Sequence, residues 1–324
     1  MTLGVIDNVL SPPILFFLLG ALASLLKSDL EIPKQAARFL SIYLLFAIGL
    51  HGGHELGASS LDTSVFLVLL VAVGSSILVP VWSFFVLRVF VSAADSAAIA
   101  ATYGSVSAVT FVTAIGFLQE ANVEYGGHLV AAMALMESPA IVVGILLARF
   151  FDRGETPSGT RWSEIGREAF LNGPVLLLLG SLGIGLVMSD AQWASLEPFA
   201  ADPFKGVLCL FLLDMGLVAA KRLGDLRRSS LPLISFGVLA AVAHAMLAIG
   251  ISKLIGLERG DALLLAVLMG SASYIAVPAA VRLAIPKANP GLYVPMSLAV
   301  TFPFNVVVGI PLYDAVIRML WSIP

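Results

Sequence analysis

Long apolar runs, separated by short stretches that hold nearly all of the charge, constrain this chain more than any other feature. They fall at Pro12–Leu26, Phe39–Leu50, Val65–Val91, Ala97–Leu118, His128–Phe151, Pro174–Met188, Phe204–Ala220, Leu231–Ile255, Asp261–Ile285 and Leu292–Trp321. Crossing the ~30 Å hydrocarbon layer takes about 20 mostly apolar residues as a helix, and only helices or closed barrels satisfy the backbone there. Runs of this length mean helices, so the chain is expected to be an all-α integral membrane protein with ten crossings. Composition agrees: 59% of the 324 residues are hydrophobic and 12% charged, against ~45–50% and ~25% in soluble domains. The net charge of −3, with no basic patch, excludes nucleic acid as the main partner. Cys209 is the single cysteine, which excludes an internal disulfide framework. The first run lacks a basic leader and an A-x-A-like site after it, so no cleaved signal peptide is expected.

Lysine and arginine alternate between the loops. Lys27, Lys34, Arg38, Arg88, Arg149, Arg153, Arg161, Arg167, Lys221, Arg222, Arg227, Arg228, Arg282 and Lys287 fall on one side, fourteen in all, against four on the other: Lys205, Lys253, Arg259 and Arg318. The positive-inside rule then places both termini outside the plasma membrane and the loop around Asp152–Asn172 in the cytoplasm.

Sliding the chain on itself by about 166 residues aligns unusual features. Ala94-Asp95-Ser96-Ala97 faces Gly260-Asp261-Ala262-Leu263, and Gly104-Ser105-Val106-Ser107 faces Gly270-Ser271-Ala272-Ser273. Asn122 and Tyr125 align with Asn289 and Tyr293, Pro139 with Pro303, and Ile48-Gly49-Leu50 with Met215-Gly216-Leu217. The division is residues 1–152, a connecting loop 153–172, and 173–324. Five crossings per copy is an odd number, so the copies enter the membrane from opposite sides as a 5+5 inverted repeat. The alternative is chance recurrence of small residues that let apolar helices pack closely.

Each copy carries a small, polar break, at Gly104–Thr110 and Gly270–Pro278. Backbone groups freed at membrane depth need protein, water or ligand partners. A half-helix that starts at a break points free N–H groups at the centre and suits a small anion; one that ends there presents carbonyls suited to sodium. Candidate anion-binding residues are Gly104, Ser105, Val106, Ser107, Gly270, Ser271, Ala272, Ser273, Tyr274 and Ile275. Candidate sodium ligands are Thr110, Glu137, Ser107, Ser273 and Asn305. The competing reading of each hydroxyl is a bond back to the preceding turn.

Charges inside spans cost about 2.5–3.5 kcal/mol on insertion scales and so default to function. Glu137, beside Pro139, is the leading cation ligand or proton carrier, with pairing to an Arg or His elsewhere as the alternative. Asp214, Asp314 and His244 are weaker candidates. His51-Gly52-Gly53-His54-Glu55 lacks the H-E-x-x-H spacing of a zinc helix, and its glycine pair suggests an exterior loop; no metal is expected. Walker A spacing is absent, and neither break offers a serine a catalytic partner, so neither ATP hydrolysis nor peptidase chemistry is expected.

Gly104-Ser105-Val106-Ser107, Met136-Glu137-Ser138-Pro139-Ala140 and Ile285-Pro286-Lys287-Ala288-Asn289-Pro290 with Tyr293 resemble the cyanobacterial sodium-dependent bicarbonate transporter family, from about Ser11 to Leu312. The resemblance implies a five-plus-five carrier, usually a homotrimer, that moves bicarbonate inward with sodium as coupling ion and without a cofactor. It places both ions between Gly104–Thr110 and Gly270–Ile275, with Glu137 in the family's acidic position. This chain departs at Ala272 and Tyr274, where those members are richer in serine and carry an aspartate, and at Val277-Pro278-Ala279, where they have Gly-Pro-Pro. Its connecting loop is also shorter, which argues against control by the family's PII-like regulatory protein. A carrier of small organic acids and a transport-inactive receptor or scaffold are the alternative functions.

Overall fold

The structure, a computed structural model, describes residues 11–58, 63–151, 173–223 and 231–322. The connecting segment 153–172 lies outside them. Among the described residues every regular element is a helix: α1 (Pro12–Leu25), α2 (Lys34–Ala58), α3 (Thr63–Leu87), α4 (Ala93–Gly104), α5 (Ala108–Glu120), α6 (His128–Phe151), α7 (Gly173–Val187), α8 (Asp190–Ala200), α9 (Phe204–Leu223), α10 (Leu231–Ile255), α11 (Arg259–Met269), α12 (Ala276–Ala284) and α13, a helical run over Pro290–Leu320. Six segments are long and apolar enough to cross a membrane: α2, α3, α4 with α5, α6, α10 and α13. The bent pair α8 and α9, at 42°, makes a seventh, while α1 and α7 are shorter apolar helices.

Two sequence expectations change. The segment Phe39–Leu50 is the middle of a 25-residue helix, so His51 to Glu55 lie within α2 and not in an exterior loop. At membrane depth a glycine pair serves close packing and does not end a helix: a Cβ on Gly53 would overlap Leu182 O of α7, and one on Gly52 would meet Val130 of α6. Second, α8 was not expected. Its Ser189 cap, a reciprocal box with Gln192, nucleates a short helix between two apolar runs.

Packing exchanges partners between the halves. α1 lies along α9 and α2 along α7. The first seam closes through Gly20 and Gly216: a Cβ on Gly20 would overlap Leu213 O, and one on Gly216 would overlap Phe17 O. The second closes the same way, through Gly53 against Leu182 O and Gly185 against Leu50 O. Lipid offers no hydrophobic drive for helix association, so such backbone approach carries the packing.

The loops are exchanged as well. Asp261, at the start of α11, accepts from Gly126 N of the α5–α6 loop at 2.7 Å. Asp95, at the start of α4, accepts from Asn289 N of the α12–α13 loop, also at 2.7 Å. The interrupted helices form the centre of the molecule, since from Ala97 to Leu118 every residue but Ala108 is buried. Substituting Gly53 or Gly216 with Leu is expected to wedge its seam apart at a cost of about 1–3 kcal/mol, read as a lower unfolding temperature in detergent, with Gly74→Leu, where nothing lies within 4 Å of the added carbon, as the neutral control.

Candidate functional site

The first break spans Ser105 to Ser107. α4 ends at Gly104, where Pro80 of α3 leaves no room for a Cβ, and Ser105 is extended, at φ −90° and ψ −177°. Ser107 then caps α5: its Oγ accepts from Thr110 N at 3.2 Å and from Thr110 Oγ1 at 2.9 Å. The second break runs from Gly270 to Ile275, and Gly270 packs on Ala241 and Ala245 of α10.

The two breaks bond to each other. Ser107 N donates to Ser271 Oγ at 2.9 Å, and Ser273 N donates to Thr102 O at 2.9 Å. Ser271 Oγ in turn donates to Leu268 O at 3.1 Å. Asn305, fully buried, donates from Nδ2 to Gly270 O at 2.8 Å and accepts from Tyr313 Oη at 2.8 Å. It therefore tethers the second break from behind. π-helical turns at Met296–Thr301 and Asn305–Gly309 flank the point where Pro303 denies α13 a backbone donor.

A cleft with about 400 Å³ of empty space opens beside this junction. Of the nominated residues, Val106, Ser107, Glu137, Ser273, Tyr274 and Ile275 line it, together with Ser41 and Leu45 of α2 and Pro174 of α7. Ala108, Val109 and Ala276 also line it, so the N-termini of α5 and α12 both reach the cleft, where the first N–H groups of a helix lack internal partners. Gly104, Ser105, Thr110, Gly270, Ser271, Ala272 and Asn305 stand behind that surface as its support.

Glu137 is half-buried, and no cation pairs with it among the described residues. The Tyr274 hydroxyl is buried with no hydrogen-bond partner of proper geometry; Ser107 is its polar neighbour. The lining thus supplies one carboxylate, three serine hydroxyls, one phenol and two helix N-termini, groups whose chemistry suits an anion and a hard cation.

The other nominated charges lie elsewhere. Asp314 forms a bidentate pair with Arg259, at 2.8 and 2.9 Å, and His244 packs edge-on against Trp82 with ring centroids 5.0 Å apart. Asp214 lies on α9 outside the cleft lining. Among the described residues no three His, Cys, Asp or Glu side chains converge as a metal site. Ser41 and Pro174 were missed, because α2 and α7 reach the cleft only through tertiary packing and no local pattern marks them.

A family model described as the Na+-dependent bicarbonate transporter superfamily matches residues 12–318. The chain belongs to this superfamily. No curated protein matches it. Membership makes the chain a membrane transport protein and gives the cleft chemistry its context. It also separates two kinds of signature in this bicarbonate transporter superfamily member. The Gly-Ser stretches and Glu137 are at the cleft junction, whereas Ile285–Pro290 is remote from it: Asn289 caps the start of α13 by accepting from Gly291 N at 2.9 Å while its own N–H holds Asp95. Replacing Asn305 with Leu leaves Gly270 O and Tyr313 Oη unpartnered, at about 1–3 kcal/mol for each buried group. The expected outcome is a lower unfolding temperature in detergent, with Asn305→Asp, which keeps the Tyr313 acceptor, losing less.

Proposed function

We propose that the protein is a secondary carrier that imports bicarbonate, or a similarly small anion, with sodium by alternating access. The observation that supports this best is the junction itself: two interrupted helices joined by Ser107 N to Ser271 Oγ and Ser273 N to Thr102 O, with two helix N-termini and an unpaired Glu137 facing one cleft. In this reading the anion sits on the N–H groups of α5 and α12 with the hydroxyls of Ser107, Ser273 and Tyr274, and sodium takes Glu137 with a serine hydroxyl and break carbonyls.

The chain is read as two inverted five-crossing units, 1–152 and 173–324. Support comes from contacts that recur between corresponding elements: Asp95 at the start of α4 with the α12–α13 loop against Asp261 at the start of α11 with the α5–α6 loop, and the glycine seam of α1 and α9 against that of α7 and α2. α1, α2, α7 and α9 form the gate, and the interrupted helices with α3, α6, α10 and α13 form the moving core. A homotrimer in the plasma membrane, with both termini outside, completes the proposal. Control by a PII-like protein through 153–172 is not part of it.

Reconstituted protein is expected to take up labelled bicarbonate faster under an inward sodium gradient than under potassium. Equal uptake in both removes sodium coupling, and inhibition by small carboxylates in place of bicarbonate shifts the substrate to organic acids. Glu137→Gln is expected to lower sodium activation by about tenfold or more, since it removes a charged ligand. Ser273→Leu is expected to abolish uptake while the protein still folds.

A further inference from the structure

A second cleft, with about 300 Å³ of empty space, lies at the opposite end of the seam between gate and core. α2 and α5 line both clefts. Along α2 the lining passes from Ser41 and Leu45 to Ile48 and His51, and along α5 from Val109 to Ile115 and Gln119. Its walls are apolar except for His51, Gln119 and Tyr125.

His51 has an unusual arrangement. Glu55 Oε1, one helical turn on, stands 3.2 Å from its Nε2, so in the neutral ring the proton is held there. Nδ1 is buried and has no partner among the described residues. The ring is held in place by Trp193 and Tyr125, with centroids at 5.4 and 6.3 Å. In a neutral imidazole fixed in this tautomer, Nδ1 is a lone-pair acceptor and not a donor. Burial, and after it the Glu55 carboxylate, push the Tyr125 phenol up from its ordinary value, so it remains protonated and able to donate. The Gln119 amide is a second donor.

We infer that this second cleft is an entry site selective for a small oxyanion that carries its own proton, with the ligand hydroxyl donating to His51 Nδ1 and its anionic oxygens accepting from Tyr125 and Gln119. Bicarbonate has that pattern. Nitrate, of similar size and the same charge, has no proton to give and would set oxygen lone pairs against the Nδ1 lone pair. The inference rests on the carrier reading, because it places the cleft on the path to the junction between the breaks.

The test uses the full-length protein in proteoliposomes at alkaline external pH, where imidazole is neutral, with labelled bicarbonate as probe and nitrate as competitor. Wild type is expected to be unaffected by equimolar nitrate. His51→Phe, which keeps the aromatic packing, is expected to raise KM for bicarbonate about tenfold with kcat within about twofold. Glu55→Leu, which frees the tautomer, is expected to let nitrate compete. In addition, the ¹⁵N resonances of the His51 ring, assigned by their loss in His51→Phe, are expected to shift on adding bicarbonate and not nitrate. Ring resonances that ignore bicarbonate, or an unchanged KM with nitrate still excluded in both variants, overturn the entry site while leaving sodium-driven flux in wild type intact. Absence of that flux instead overturns the carrier reading, and the ring resonances still decide whether bicarbonate binds here.

Discussion

Backbone groups inside a bilayer have no water to turn to, and the structure depends on how this chain meets that constraint at its two interruptions. Each break satisfies part of the other: Ser107 N on Ser271 Oγ, Ser273 N on Thr102 O. An unmade hydrogen bond in hydrocarbon costs several kcal/mol, so neither break is stable alone at this depth. Their mutual bonding and the Asn305 tether to Gly270 O hold the ends of α4, α5, α11 and α12 together. The N-termini of α5 and α12 and Glu137, which has no cation partner among the described residues, line the cleft. In the proposed carrier these are the groups that would meet the ions.

The surrounding contacts extend the same reciprocity. Asp95 and Asp261, each at the first turn of an interrupted helix, accept a backbone N–H from a loop of the opposite half. Carboxylates at helix N-termini also complement the macrodipole. The glycine seams repeat the exchange, since α1 closes on α9 and α2 on α7. Packing within each part of the chain, α3 on α4 and α6 and α10 on α11, is thus joined by seams that run between the two parts.

Much of this was legible because membrane helices announce themselves locally. The ends of α6 and α10 fall where the apolar runs predict, and both breaks fall within the glycine and serine clusters that marked them. The errors have physical causes. His51 to Glu55 read as a loop because Gly52-Gly53 ends helices in water, whereas in lipid the same pair admits Leu182 and Val130. α8 escaped because its cap is short and polar and gives no hydropathy signal. The roles of individual hydroxyls were beyond reach: nothing local distinguishes Thr110, spent on the Ser107 cap, from Ser273, whose Oγ reaches only Val277 N, at 3.4 Å, and which lines the cleft. That distinction is made by the opposing break.

The two clefts sit on one apolar seam, and this bears on how the proposed carrier moves. To the two clefts α2 presents Leu45, Ala47 and Ile48, and α5 presents Val109 and Ile115. Sliding one such wall along the other exchanges apolar contact for apolar contact and breaks no hydrogen bond between those residues. The bonds that define the site, by contrast, all run within the core, from α4 and α5 to α11 and α13. In the proposed carrier, a displacement of core against gate would carry the groups at the breaks as a rigid set, while the glycine seams that fix α1 to α9 and α2 to α7 keep the gate itself rigid.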